Sequence, residues 1–133
     1  EFTPTYLREA CRGRKVAIKQ LLMNAGVVVG VGNIYANEAL FRAGIHPKRA
    51  AGRIAHERLE RLVAAVRAVL AESIAHGGTT LRDFVGSDGR PGYFRIALKV
   101  YERAGEPCLQ CATTIRRTVQ GQRATYYCPI CQR

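Results

Sequence analysis

The sequence predicts a mainly α-helical protein whose C-terminal end carries a small β-hairpin module. Apolar residues recur at helical spacing over residues 56–75, and from Ile96 onward the spacing changes to strand-like alternation. Two Cys-x-x-Cys pairs then lie on either side of a short turn. We therefore expect residues 1–95 to form a helical domain and residues 96–133 to form the module.

Two short helices are predicted within residues 3–24. Their apolar side chains recur at helix-compatible intervals, and an Arg-Gly-Arg run at residues 12–14 separates them. Residues 24–33 contain three glycines, which supply the positive φ angles that a compact double turn needs. We expect Asn33 to cap a third helix over residues 34–43.

A long helix is predicted from His56 to Ala75, and a pair of glycines follows it. Its apolar stripe consists of Leu59, Leu62, Val63, Val66, Val69 and Leu70. Thr80 and Asp83 have the spacing of a capping box for a further short helix that ends at Phe84. The glycine-rich residues 86–92 are predicted to form a loop.

The charge of the chain is strongly positive. It has 21 Lys and Arg against 10 Asp and Glu, which gives a formal net charge of +11. Such an excess favours nucleic acid as the acidic partner, although a ribosomal or merely basic protein would also fit. No apolar run approaches the ~20 residues of a membrane span, which predicts a soluble protein.

The four cysteines of the module, Cys108, Cys111, Cys128 and Cys131, have the spacing of one tetrahedral zinc site. Two Cys-x-x-Cys turns make a closed four-cysteine site, and a closed site stabilises structure. Four thiolates and one Zn2+ would lower the net charge from +11 to about +9. Disulfides and an iron–sulfur centre are the alternatives, and disulfides would need an oxidising compartment.

A β-hairpin is predicted between the two cysteine pairs. Residues 114–119 and 123–127 form its strands, and the three residues between them form its turn. Arg123, beside the turn, is either a phosphate-binding guanidinium or a solvated turn residue. Arg116 and Arg117 add to the basic surface, although adjacent strand residues point to opposite faces.

The segment Gly30-Val31-Gly32 precedes the third helix and is suited to binding an anion. Backbone N–H groups at a helix N-terminus attract negative charge, and a DNA phosphate is the natural occupant on a basic protein. A dinucleotide-binding motif is disfavoured, because Tyr35 replaces its third glycine and no parallel strand precedes it. Asn33 can cap the helix, donate to a phosphate, or do both.

Several segments, taken together and in order, closely resemble bacterial formamidopyrimidine-DNA glycosylase. They are Gly30 to Phe41, Ala43 to Pro47, Gly77 to Phe84, Gly92 to Phe94, Gln122 to Thr125 and the four cysteines. The resemblance covers essentially the whole chain. Each segment alone is a weak signal, and their combination is highly specific.

The resemblance implies a helix-two-turn-helix helical bundle followed by a four-cysteine zinc finger. It implies that both parts bind the DNA around an everted nucleotide. The implied DNA-binding residues are Asn33, Arg123, Lys19, Tyr101, Gly30 and Gly32. It also implies a loop that caps the flipped purine, in keeping with a base held outside the stack. The implied capping residues are Ser87, Asp88, Gly89, Arg90, Pro91, Gly92 and Tyr93.

The implied activity is base-excision repair on double-stranded DNA. Enzymes of this family remove oxidised purines such as 8-oxoguanine and formamidopyrimidines and nick the abasic strand, and the intact enzyme is expected to be a monomer in the bacterial cytoplasm. They carry an N-terminal domain with a proline nucleophile and a catalytic glutamate. We expect this chain to be the C-terminal, DNA-binding part, inactive alone and without a catalytic residue. Glu102 and Ala112 stand where the family usually has glycine.

Two other functions stay open at this point. The related endonuclease VIII type shares the helix-two-turn-helix and the zinc finger but prefers oxidised pyrimidines, and residues 77–94 favour the purine enzyme. A non-catalytic zinc-ribbon protein that binds DNA or RNA would fit the charge and the cysteines alone.

Overall fold

The computed structural model describes residues 2–75 and 98–133, and helices dominate the first of these ranges. The elements are α1 Pro4–Cys11, α2 Ile18–Leu22, α3 Asn33–Ala43, a short 3-10 helix Ala51–Arg53, α4 His56–Ala75, β1 Arg116–Gln120 and β2 Arg123–Tyr127. The prediction of a mainly helical protein with a C-terminal hairpin is confirmed. None of the helices in the described ranges has the length and hydropathy of a membrane-spanning helix.

Local sequence signals explain where the helices begin and end. Thr3 caps α1 by accepting a hydrogen bond from the N–H of Tyr6 at 3.1 Å, and Pro4 occupies the first turn, where its missing N–H costs nothing. Gly44 ends α3 with φ of 73°, a left-handed conformation that glycine adopts without strain.

The main core lies where α3 packs against α4. α1 also packs against α4, and α2 packs against α3. On α4, five of the six residues of the predicted stripe are buried and the sixth, Leu70, is partly buried, while Arg61 and Arg67 lie exposed on the other side. The largest fully buried apolar side chains of this core are Leu7, Ile18, Leu22, Leu40, Ile45, Leu59 and Leu62.

The hairpin packs on the helical body through β2, which contacts α3. β1 and β2 are antiparallel, with Gln120 opposite Arg123, so Gln120 belongs to a strand and not to the predicted turn. The two turn residues, Gly121 and Gln122, have φ of 57° and 66°, as in a type I′ turn. A second apolar cluster joins α3 to the module and consists of Phe41, Val100, Cys108, Ile115, Tyr126 and Cys128.

Two further local predictions are wrong. Asn33 does not cap α3; Gly32 is the N-cap, and Asn33 is the first helical residue. Residues 98–101 do not form a strand, because the N–H groups of residues 99–101 donate to one buried carboxylate, that of Glu38, instead of to a neighbouring strand. The alternating pattern there reflects burial of Val100 between two half-buried neighbours.

The two positions that depart from the family pattern share a backbone feature. Glu102 and Ala112 have φ of 59° and 65°, in the left-handed region that favours glycine. Glycine at such positions would relieve backbone strain. The predicted short helix ending at Phe84 and the predicted loop at residues 86–92 lie outside the described residues.

Candidate nucleic-acid interface

The carbonyl oxygen of Ala124 connects the helical body to the hairpin. It accepts a hydrogen bond from Asn33 Nδ2 at 2.9 Å, and it lies 3.4 Å from Lys19 Nζ and 3.5 Å from Asn37 Nδ2. These donors come from α2 and α3, while Ala124 follows Arg123 directly in β2. The backbone beside Arg123 is therefore fixed by side chains from two helices.

Arg123 is exposed at the first position of β2, beside the turn. Asn33 is only 6% exposed. Its side-chain amide donates a hydrogen bond to the Ala124 carbonyl and forms a second hydrogen bond with the Tyr101 hydroxyl. An exposed guanidinium thus lies one residue from the carbonyl that holds Asn33. This is the arrangement that a shared phosphate site would need.

Lys19 is buried at the junction between α2 and the hairpin. Its side chain is 1% exposed, and its ammonium donates to Thr125 Oγ1 at 2.7 Å. Burial and, to a smaller extent, the positive charge of Arg123 together lower the pKa of Lys19 to about 8. Lys19 therefore supports the strand that carries Arg123 and adds positive charge behind it.

Tyr101 lies next to the same site, and its ring meets that of Tyr126 edge to face with centroids 5.2 Å apart. Burial raises the pKa of the Tyr101 hydroxyl, and the carboxylate of Glu102 raises it further, so the hydroxyl keeps its proton at neutral pH. Tyr101 can therefore act as a hydrogen-bond donor.

Glu38 fixes the backbone at Tyr101, and sequence reasoning did not single it out. Its side chain is 1% exposed, and its carboxylate accepts the N–H groups of Lys99, Val100 and Tyr101 at 2.8, 3.0 and 2.8 Å. Asn37 beside it accepts the Tyr126 N–H at 2.7 Å. Two adjacent polar residues on the buried side of α3 were the available signal, since buried polar groups need partners.

The double turn presents open backbone beside Asn33. Gly30 has φ of 89°, which requires glycine, whereas Gly32 has an ordinary φ of −83°. A Cβ atom added at either position would meet nothing within 4 Å. Neighbouring residues therefore do not require glycine at position 32. A ligand that approaches the backbone closely there would require it, because a Cβ atom would stand in the way.

The four cysteines of the module converge as a metal site requires. All four Sγ atoms lie within 4.8 Å of one another, with 3.8 Å between Cys108 and Cys131 and 3.5 Å between Cys111 and Cys128. Zn–S bonds of about 2.3 Å in a tetrahedron place sulfurs about 3.8 Å apart, whereas a disulfide needs about 2.05 Å. The cluster can hold one metal ion and contains no disulfide.

Gln132 docks the cysteine cluster onto the helical body. Its Oε1 accepts the N–H of Cys128 at 2.8 Å, and its Nε2 donates to the Ile45 carbonyl, just beyond α3, at 3.0 Å. Gln132 is 1% exposed, so both bonds are protected from water. The cysteine cluster and the helical body therefore hold the hairpin from its two ends.

The remaining predicted site residues have separate positions. Arg116 and Arg117 are exposed on β1, opposite Tyr127 and Tyr126. The predicted capping residues, 87–93, lie outside the described residues. The site that the structure brings together consists of Lys19, Asn33, Tyr101 and Arg123 beside the double turn.

Two family models match the chain. Residues 1–85 match the formamidopyrimidine-DNA glycosylase H2TH domain, and residues 105–133 match the zinc finger found in FPG and IleRS. Among curated relatives, a formamidopyrimidine-DNA glycosylase of Burkholderia cenocepacia is 60% identical over 132 residues, and one of Magnetococcus marinus is 59% identical over 128. These matches cover 99% and 96% of this chain but 48% and 46% of the relatives, so the chain spans about half their length.

Solved structures show the same fold. A Lactococcus lactis FPG mutant in complex with DNA containing Fapy-dG has a TM-score of 0.87 at 30% identity, covering 99% of this chain and 48% of that one. The MutM (Fpg) protein of Thermus thermophilus has a TM-score of 0.85 at 40% identity, covering 98% and 50%. A complex of Lactococcus lactis Fpg with DNA containing an abasic site has a TM-score of 0.85 at 31% identity, covering 99% and 48%.

Proposed function

The chain belongs to the formamidopyrimidine-DNA glycosylase H2TH domain family, and we propose that it is the damaged-DNA-binding part of a base-excision repair enzyme. The proposed substrate is double-stranded DNA that contains an oxidised purine or an abasic site. The observation that carries the proposal is the Asn33–Ala124 hydrogen bond, which brings the double turn and Arg123 into one surface.

The chemistry of that surface supports a phosphate ligand. A guanidinium can bind two phosphate oxygens at once, and a phenol can donate to a third, while the Asn33 amide holds the Ala124 carbonyl beside them. The net charge of +11 and the open backbone at Gly30 and Gly32 add to this preference. Relatives with the same fold are described in complexes with DNA that contains Fapy-dG or an abasic site.

We further propose that the cysteine cluster holds one structural zinc ion. The donor set is four thiolates with tetrahedral spacing, and the matched family model is a zinc finger. Bound zinc would supply a rigid crosslink between the two Cys-x-x-Cys turns. The backbone N–H groups of Gln110 and Cys131, each 3.4 Å from a cysteine sulfur, would help to stabilise the thiolates.

The salt dependence of binding tests the role of Arg123. Arg123→Ala should weaken binding to an abasic-site duplex and lower the magnitude of the salt slope by roughly 0.9 for a lost phosphate contact. Arg61→Ala, which removes an exposed arginine from α4, is the matched control and should leave the slope unchanged. An unchanged slope in Arg123→Ala would contradict the proposed role.

Ligand preference tests the proposed function as a whole. The metal-loaded chain should bind an abasic-site duplex more tightly than an undamaged duplex or RNA of the same length. Equal affinity for all three would instead indicate a general nucleic-acid scaffold.

We propose that this chain binds DNA without cutting it, because the one amine among the interface residues, that of Lys19, is only 1% exposed and cannot reach a lesion as a nucleophile. Borohydride trapping on a duplex that contains 8-oxoguanine tests this: no covalent adduct is expected, and an efficient one would overturn it.

A further inference from the structure

The region beside the hairpin has no exposed acidic residue over a long stretch of sequence. Between Glu9 and Glu57, the single acidic residue is Glu38. Its carboxylate is buried and accepts the N–H groups of residues 99–101. Every exposed charge within residues 10–56 is therefore positive.

Two segments of this region run side by side. The N–H of Ile18 donates to the Arg49 carbonyl at 2.8 Å, and the N–H of Gly52 donates to the Arg14 carbonyl at 2.9 Å. A Cβ atom added at Gly52 would lie 2.9 Å from that carbonyl oxygen, so the segments pack backbone to backbone. They present five exposed basic side chains, here named the basic ridge: Arg14, Lys15, Lys48, Arg49 and Arg53.

The positive charge of the basic ridge is not compensated locally. None of its members forms an ion pair with another residue in the described part of the chain. Burial is the main cause of the lowered pKa values of Arg58 and His46. The positive charge of Arg49 also lowers the pKa of Arg58, and that of Lys48 lowers the pKa of His46. Positive groups that disfavour one another's charge create a surface that attracts a polyanion.

The ridge begins where the candidate interface ends. Pro47 immediately precedes the segment that carries Lys48, Arg49 and Arg53, and the Pro47 carbonyl accepts hydrogen bonds from Gln120 Nε2 at 3.0 Å and from the Lys19 N–H at 3.3 Å. Pro47 therefore contacts both β1 and α2, beside the strand that starts at Arg123. From Pro47 to Arg53 the chain can extend at most about 20 Å, the rise of about six base pairs.

We propose that the basic ridge binds the phosphate backbone of double-stranded DNA flanking the lesion, which extends the contact beyond Asn33 and Arg123. The inference rests on the proposed function. Lysine and arginine contacts to phosphates add affinity and orientation but carry no sequence information. The ridge therefore orients the duplex along the helical body, while the double turn and hairpin grip the phosphates at the lesion.

The test compares two charge-matched double variants of the metal-loaded chain. Lys15→Gln/Arg49→Gln neutralises two ridge residues, and Arg8→Gln/Arg61→Gln neutralises two exposed residues of α1 and α4. Binding is measured over a range of salt concentrations on a long abasic-site duplex, with about 15 base pairs on each side of the lesion, and on a short one that keeps about 15 on one side but only about two on the side of the ridge, so that most of the ridge has no DNA beside it.

The ridge variant should lose about 1.8 from the magnitude of the salt slope on the long duplex, about 0.9 for each phosphate contact, and little on the short one. The control variant should lose little on either. Equal losses in both variants, equal losses on both duplexes, or an unchanged slope on the long duplex would overturn the proposal. So would an equal loss on single-stranded RNA, which would indicate a general polyanion surface.

This outcome is distinct from failure of the proposed function. If wild-type chain bound damaged and undamaged duplexes equally, the lesion-binding role would fail. The difference in slope between long and short duplexes would still report on the ridge.

Discussion

Asn33 donates its side-chain amide to the carbonyl oxygen of Ala124 at 2.9 Å, and that carbonyl directly follows Arg123 in the hairpin. The two residues are 91 positions apart in the sequence. The bond joins the double turn and the hairpin into one surface. A substitution at Asn33 should therefore change how Arg123 contributes to DNA binding, and the reverse should also hold.

Glu38→Gln should destabilise the junction between α3 and the module. The buried carboxylate accepts three N–H groups, and an amide has one acceptor oxygen, so at least one N–H loses its partner. We expect a loss of about 1–3 kcal/mol in the free energy of unfolding. Urea unfolding measures it.

The matched control is Glu57→Gln, which changes an exposed carboxylate in the first turn of α4. Its effect should stay within about 0.5 kcal/mol. Equal stability of Glu38→Gln and wild type would show that the three hydrogen bonds contribute nothing measurable.

Ala112→Gly should stabilise the metal-loaded chain. The left-handed conformation of Ala112 costs about 1–2 kcal/mol, and the extra freedom of glycine in the unfolded chain offsets about 0.4–1 kcal/mol of that gain. Ala104→Gly, at an exposed position that lacks a positive φ, should be destabilising instead. Urea unfolding of both variants decides the matter, and a loss of stability in Ala112→Gly would contradict the strain argument.

Lys19 should make stability rise with pH in the alkaline range. Its pKa is about 8 in the folded chain against an ordinary value of 10.5. Below about pH 8 both states carry the proton, so the cost of burying the charge is fully present. Between about 8 and 10.5 the unfolded state binds more protons, and this residue's contribution to the free energy of unfolding increases.

Lys19→Met removes the titrating group while keeping a long side chain. The difference in unfolding free energy between wild type and Lys19→Met should therefore shift in favour of wild type as pH rises through this window. Parallel pH profiles for the two proteins would refute the assignment.

Removal of the metal should unfold the hairpin and leave the helical body largely intact. The helices have their own apolar core. Among the described residues, Phe41 is the only residue of α3 in the apolar cluster around the cysteines, so loss of that cluster removes little from the helices. With a chelator, the far-UV circular dichroism of the helices should persist while DNA affinity falls. Concerted loss of the helical signal would disprove this division.

The sequence predicts elements whose signals are local. α4 has an uninterrupted apolar period, Gly44 marks the end of α3, and the cysteine pairs with a central glycine indicate a hairpin. Contacts that depend on distant residues could not be predicted. The alternation near Val100 resembles a strand, but Glu38, 62 positions earlier, takes its N–H group.

The predicted role of Asn33 illustrates the same limit. A residue at the start of a helix has the local signature of a cap, and only the folded chain shows the Ala124 carbonyl within reach of its amide. Lys19 is similar, since its partner Thr125 is 106 positions away. The residue types of the site were predictable, and their hydrogen-bond partners were not.

Whether Asn33 and Arg123 act as one phosphate-binding surface is decided by a double-mutant cycle on binding to an abasic-site duplex, with Asn33→Ala, Arg123→Ala and the combined variant in the metal-loaded chain. If the two residues are joined through Ala124, their effects should not be additive, with a coupling of at least about 0.5 kcal/mol. Effects that add within about 0.3 kcal/mol, or a variant that binds as wild type does, would contradict it.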